Sequence, residues 1–135
     1  TIQAAVLLAK LDAYPDEIEA RARIGARYTE RLKKECPAVL VPYGQSYNAC
    51  VYAQYTVQLD DRDDVQARLK EAGIPTAVQY PIPLHLQPAF SDLELAAGAF
   101  PVAEATGRRV MSLPMHPFLD ESAQDNVVAA VKAAL

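Results

Sequence analysis

The segment QYPIPLHLQPAF, Gln79 to Phe90, places three prolines, a tyrosine and one of the chain's two histidines within twelve residues. Proline fixes φ, lacks an amide donor and pushes the preceding residue out of the helical region, so this segment cannot run as an ordinary helix. It is also too apolar for an idle linker. Stiffening a loop so that an imidazole is held in place lowers the entropy of positioning it. His85 is therefore a candidate binding residue, and Gln79 and Tyr80 just before it could offer an amide and a hydroxyl to a polar ligand. The competing reading of His85 is a core or rim histidine satisfied by a backbone carbonyl.

Regular elements are expected on both sides of this segment. Ile2 to Leu11 reads as a helix that is apolar on more than one side, and such a helix needs cover from two directions. Pro15 opens a second helix, expected to Lys34, with Ile18, Ala22, Gly25, Tyr28 and Leu32 on one stripe. Its acidic start (Asp16, Glu17, Glu19) and basic end (Arg31, Lys33, Lys34) complement the helix dipole, so these cations read as a solvated helix face. A short extended piece is expected over 38–41. Tyr47 to Leu59 alternates apolar and polar residues and predicts a strand.

Asp60 or Asp61 is expected to cap a helix that carries Val65, Leu69 and Ala72 and is closed by Gly73. A short strand over 74–78 then feeds the proline-rich segment. Ser91 and Asp92 can start a helix over 93–105, with interruptions near Gly98 and Pro101. Val110 to Leu113 predicts a strand, 114–117 a constrained turn, and Glu121 to Ala134 a helix with Val127, Val128, Val131 and Leu135 inward. Strands separated by helices and loops imply an α/β fold with helices packed on one face of a small sheet.

Composition narrows the function classes. The formal net charge is -4 with the acids dispersed, which argues against a nucleic-acid partner. No apolar run reaches the roughly 20 residues of a membrane span, and no signal peptide is apparent, so a cytoplasmic protein without a membrane partner is expected. Cys36 and Cys50 form no metal pattern and read as reduced thiols. His85 and His116 have no Cys or Glu at ligand spacing, so no metal site is expected. None of the five glycines falls in a nucleotide-binding spacing. Tyr43, Tyr47, Tyr52 and Tyr55 cluster in and before the predicted strand, as aromatic packing or as an interface.

Three stretches taken in order carry a resemblance: IQAAVLLAKLD at 2–12, GIPTAVQYPIPLHLQPAF at 73–90 and FPVAEATGRRVMSLPMHPFL at 100–119. Together they resemble the C-terminal part of the DegT/DnrJ family of sugar aminotransferases, over essentially the whole chain. The fold this implies is the small α/β C-terminal domain of fold-type I transferases dependent on pyridoxal phosphate, with a small, mainly antiparallel sheet and helices on one face. Residues 1–34 would be connecting helices that lead into the small domain, residues 35–135 the small domain itself, and the large cofactor-binding domain would lie outside the chain. None of Lys10, Lys33, Lys34, Lys70 and Lys132 sits in a context resembling the family's Schiff-base lysine.

The resemblance therefore implies no catalytic and no cofactor-binding residue here. Pyridoxal phosphate is expected in the intact parent and not in the fragment, which would be inactive alone. The parent reaction would move an amino group from glutamate to a keto-sugar nucleotide, in a homodimer. Substrate binding carries over best onto Tyr80 and His85. In members acting on uronic-acid sugars the residue before the tyrosine is often histidine and helps hold the substrate carboxylate. Here it is Gln79, which can hydrogen-bond a carboxylate but brings no charge. The pattern is otherwise most similar to aminotransferases acting on 2-acetamido-2-deoxy-3-keto-uronic acid nucleotides, in surface-polysaccharide synthesis. A standalone non-catalytic binding or structural module, and a family member with another sugar-modifying activity such as dehydration, remain the alternatives at this point.

Overall fold

The computed structural model describes residues 1–135. Helix α1 spans Ile2–Lys10, with the Thr1 hydroxyl accepting from the Ala4 amide at 3.3 Å as its cap. A 3-10 turn over Leu11–Ala13 leads into α2, Tyr14–Glu35, which has Pro15 in its first turn. Strand β1 is Tyr55–Gln58, α3 is Arg62–Glu71, α4 is Pro101–Arg109, β2 is Val110–Leu113 and α5 is Glu121–Ala134. Between α3 and α4 run two further 3-10 segments, Leu84–Leu86 and Pro88–Leu93. No helix is long and apolar enough to cross a membrane.

The sheet is one antiparallel ladder that pairs Tyr55 with Leu113 and Gln58 with Val110. A single bridge extends it on each side, Leu40 to Gln58 and Ala77 to Ser112, both antiparallel. The small antiparallel sheet is thus as expected, but three of its expected strands shrink. Over 38–41 and 74–78 only one residue each bridges, because Pro37, Pro42, Pro75 and Pro81 confine these pieces. The strand expected from Tyr47 begins only at Tyr55, since Tyr52 adopts φ 44° and turns the chain out of the pleat. The helix expected over 93–105 starts at Pro101 instead, where proline suits the first helical turn, and Gly98 at φ 93° belongs to the lead-in.

Alternation along the strands separates two faces. Tyr55, Val57, Leu59, Met111 and Leu113 are buried against Ile24, Tyr28 and Leu32 of α2, Val65 and Leu69 of α3, and Val127, Val128 and Val131 of α5. Leu135 is largely exposed, and Ala134 takes the inward place expected for it. Gln124 is also fully buried, and its amide nitrogen donates to the Ile24 carbonyl at 3.0 Å, tying α5 to α2. Outside the core, Arg27 and Arg31 both pair with Asp125 across the same two helices. Helix α1 contributes nothing to this core: none of its residues is buried, and Ile2, Leu7 and Leu8 are 85%, 65% and 68% exposed. Deleting residues 1–10 is expected to shift the thermal midpoint by less than about 3 °C. A drop of about 10 °C would show that α1 holds the core.

Two buried phenols make the core sensitive to alkali. The Tyr28 hydroxyl donates to the Pro114 carbonyl, and the Tyr55 hydroxyl shares a 2.7 Å hydrogen bond with Thr29 Oγ1. Burial is the main cause that raises both groups, Tyr55 to about 12 and Tyr28 further. The folded state keeps these phenols protonated while unfolded ones ionise near the ordinary value of about 10. Their contribution is therefore intact below about pH 10 and is lost as pH rises toward the folded values. Urea midpoints should fall steeply from about pH 10 to pH 12, and Tyr55→Phe should flatten that fall. An unchanged slope in the variant would contradict this account.

Candidate functional site

The face of the sheet away from the core carries Thr56 and Ser112, a cross-strand pair whose hydroxyls lie 2.9 Å apart. Over this face stand α4 and the proline-rich segment, and between them lies a cleft of about 620 Å³. Its floor includes Gln54, Thr56 and Val110, one wall is Ala103, Thr106 and Gly107 of α4, and the other runs from Gln79 to His85. Gly107 of α4 faces the prolines, and a Cβ there would meet the Pro83 ring at 3.5 Å, an ordinary van der Waals contact. A second cavity of about 280 Å³ adjoins it, with Gln54 and Gln79 shared between the two.

Gln79, Tyr80 and His85 all line the cleft, so the structure brings the three candidates together. They differ in freedom. Tyr80 is 77% exposed, with its ring available at the mouth. Gln79 is anchored, since its Oε1 accepts from the Ser112 hydroxyl at 2.9 Å. His85 is only 9% exposed, its ring set edge-on to Phe100 at 4.9 Å. Its Nε2 lies 3.0 Å from Glu104 Oε1, and because a carboxylate can only accept, Nε2 carries the proton and donates. Its partner is thus a side chain, not the backbone carbonyl weighed above.

Glu104 is one residue that sequence reasoning misses. Its Oε1 also accepts from the Gly98 amide at 2.8 Å and the Phe100 amide at 3.4 Å. One carboxylate oxygen therefore joins three points: the proline-rich segment, the loop before α4, and the start of α4. The Gly98 amide, followed by His85, holds the Glu104 carboxyl below the usual carboxylate range. The available signal is weak: an acidic residue in the first turn of a helix opened by Phe100-Pro101, which is favourable for the dipole on many helices.

The cleft can receive a ligand that combines apolar surface with neutral hydrogen-bonding groups, because Gln54, Thr56, Gln79, Tyr80 and Thr106 stand among apolar side chains and His85 is internally paired. It does not fit pyridoxal phosphate, which needs a lysine at its aldehyde and an acid at its ring nitrogen. No lysine lines the cleft, and the five lysines lie on α1, α2, α3 and α5. Among nearby acids Glu104 is committed to His85 and two backbone amides. No chemical step can be assigned to these residues through that group.

Residues 1–132 match the model of the DegT/DnrJ/EryC1/StrS aminotransferase family. A UDP-2-acetamido-2-deoxy-3-oxo-D-glucuronate aminotransferase of Pseudomonas aeruginosa is 46% identical over 131 residues, which is 97% of this chain and 35% of that protein. Among solved structures, a DegT DnrJ EryC1 StrS aminotransferase from Brucella abortus is 44% identical with a TM-score of 0.88, over 98% of this chain and 35% of that one. S. venezuelae DesV, solved in complex with a ketimine intermediate, is 32% identical with a TM-score of 0.90, over 97% of this chain and 35% of that one. The chain thus spans about 35% of the length of the relatives it matches.

Proposed function

The chain belongs to the DegT/DnrJ/EryC1/StrS aminotransferase family, and from that premise we propose that it forms one wall of the substrate cleft of a nucleotide-sugar aminotransferase. The observation that carries this reading is the cleft itself, where Gln79, Tyr80 and His85 converge beside neutral polar groups suited to sugar hydroxyl and amide functions. Residues 1–34 act as connecting helices, with the second half of α2 packed into the core of the small domain formed by 35–135. Tyr80 contacts the nucleotide sugar from the mouth, Gln79 hydrogen-bonds it from the wall, and His85 shapes the wall through its pair with Glu104. Amino transfer from glutamate to a 3-keto sugar, the pyridoxal phosphate it needs and the homodimer that completes the site fall to residues outside this chain. Taken alone, the 135 residues are inactive.

The test is amino transfer by the enzyme that carries this chain, given glutamate and a UDP-linked 2-acetamido-3-keto-uronic acid. Tyr80→Ala is expected to raise KM for the nucleotide sugar about tenfold while kcat changes by less than about threefold, as for loss of a contact made equally in ground and transition states. Absence of turnover with nucleotide-linked keto sugars would overturn the reading. So would an unchanged KM in the variant.

A further inference from the structure

We propose that Gln54 is a ligand-contacting residue of the cleft, and that one row of helix α2 aims it there through Tyr52 and Tyr55. The contact rests on the preceding reading for the identity of the ligand; the aiming does not. Strand parity gives the direction. Tyr55, Val57 and Leu59 turn into the core, so Thr56 and, two residues earlier, Gln54 belong to the opposite face, the floor of the cleft. Gln54 lies where the cleft of about 620 Å³ meets the adjoining cavity of about 280 Å³, and it lines both. Other polar groups of the lining are already engaged: Thr56 and Gln79 with Ser112, His85 with Glu104. Gln54 has no such engagement within the chain. Its amide is free to meet a hydroxyl or carbonyl group of a ligand that reaches from one cavity into the other.

What places Gln54 is its backbone. Tyr52 stands in the left-handed region at φ 44°, which is costly for a bulky residue and is kept only where the surroundings over-determine it. Those surroundings are Arg21, Gly25 and Thr29, successive members of an i, i+4, i+8 row on α2. Arg21 Nη1 donates to the Tyr52 carbonyl at 3.2 Å. Gly25 leaves the notch that the Tyr52 ring fills, so closely that a Cβ there would lie 2.4 Å from its Cδ2. Thr29 Oγ1 shares a 2.7 Å hydrogen bond with the Tyr55 hydroxyl, and the Tyr52 and Tyr55 rings meet with centroids 5.5 Å apart. Residues 52 and 55 are thus fixed to one rail, and Ala53 and Gln54 between them are carried with it. A tyrosine packed against the core sets where an amide stands on the ligand side of the sheet.

The aiming is read first without ligand, from ¹⁵N relaxation of the Gln54 backbone amide in the full chain. An order parameter near about 0.85 is expected, falling below about 0.6 in Tyr52→Ala and unchanged in Tyr52→Phe, which keeps the ring. A mobile Gln54 in the unsubstituted chain, or one still rigid in Tyr52→Ala, would overturn the aiming whatever the enzyme's substrate is. The contact is read in the enzyme that carries the chain. Gln54→Ala should raise KM for the nucleotide sugar about tenfold with kcat changed less than about threefold. Tyr52→Ala should raise KM about threefold and Tyr52→Phe should not. Added to Gln54→Ala, Tyr52→Ala should do nothing further, because the side chain it misplaces is already gone. An unchanged KM for Gln54→Ala in an active enzyme would overturn the contact and leave the functional reading standing. Multiplicative effects of the two substitutions would show that Tyr52 acts on the cleft by another route. A wild-type enzyme inactive on nucleotide sugars would sink the functional reading and the contact with it, and the relaxation result would still decide the aiming.

Discussion

Gly25→Ala is expected to destabilise the protein by about 1–3 kcal/mol, although it puts the best helix former in the middle of a long helix. On propensity alone the change would gain about 1 kcal/mol. The space for it is already filled. A Cβ at Gly25 would lie 2.4 Å from Tyr52 Cδ2, 2.5 Å from Cε2 and 2.8 Å from Cγ, so the ring itself must move. Tyr52 is held against Tyr55 with ring centroids 5.5 Å apart, and its carbonyl accepts from Arg21 Nη1 at 3.2 Å. Expelling the ring forfeits its contact with Tyr55 and opens the tyrosine cluster above α2. Urea unfolding gives the measurement, and Tyr52→Ala supplies the control. In that background the penalty should vanish and the propensity gain should emerge. A more stable Gly25→Ala in the native background would mean that Tyr52 does not lie across the helix.

Glu104→Ala is expected to have the largest effect on the cleft, without touching any group proposed to meet the ligand. It removes the acceptor shared by His85, Gly98 and Phe100. The proline-rich segment and the loop before α4 then lose their common anchor, and a wall displaced by about 1 Å can cost about a hundredfold in activity. Limited proteolysis should open new cleavage within residues 94–100, and kcat/KM of the enzyme that carries the chain should fall about tenfold to a hundredfold. Glu104→Gln, which keeps an acceptor oxygen, should recover part of this.

The same anchor has a pH signature. Because the Glu104 carboxyl is depressed in the fold, its contribution is intact at and above the ordinary glutamate value of about 4.3 and is lost as pH falls through the lower folded value. Proteolytic opening of the wild-type chain should therefore appear only in acid. Equal protection of wild type and Glu104→Ala at neutral pH would contradict the anchoring role.

Local rules carry much of the fold and little of the site. α2 is legible because Pro15, its end charges and its apolar stripe agree with one another, and α5 because its valines recur at helical spacing. β2 is legible because it is a short apolar run next to a turn rich in proline. The Tyr47–Leu59 strand is only partly so, because alternation does not reveal the left-handed backbone at Tyr52 that cuts it short. At the cleft, Gln79, Tyr80 and His85 stand out through the prolines around them. Glu104, Ser112 and Thr56 do not, since what matters about them is whom they meet. His85 and Glu104 are 19 residues apart, Gln79 and Ser112 are 33 apart, and Thr56 and Ser112 are 56 apart. No periodicity encodes such a pairing.

The tie between Gln124 and Ile24 spans 100 residues, and the ion pair of Arg27 with Asp125 spans 98. Both strands of the sheet likewise await each other across more than fifty positions. A nascent chain emerging from the ribosome at about 5–20 residues per second therefore makes α2 many seconds before the helix that buries it exists. Until α5 emerges, Tyr28 and Leu32 have only part of their final cover. Closure of this core waits for α5, and a stall before residue 134 leaves it exposed for chaperones to shield.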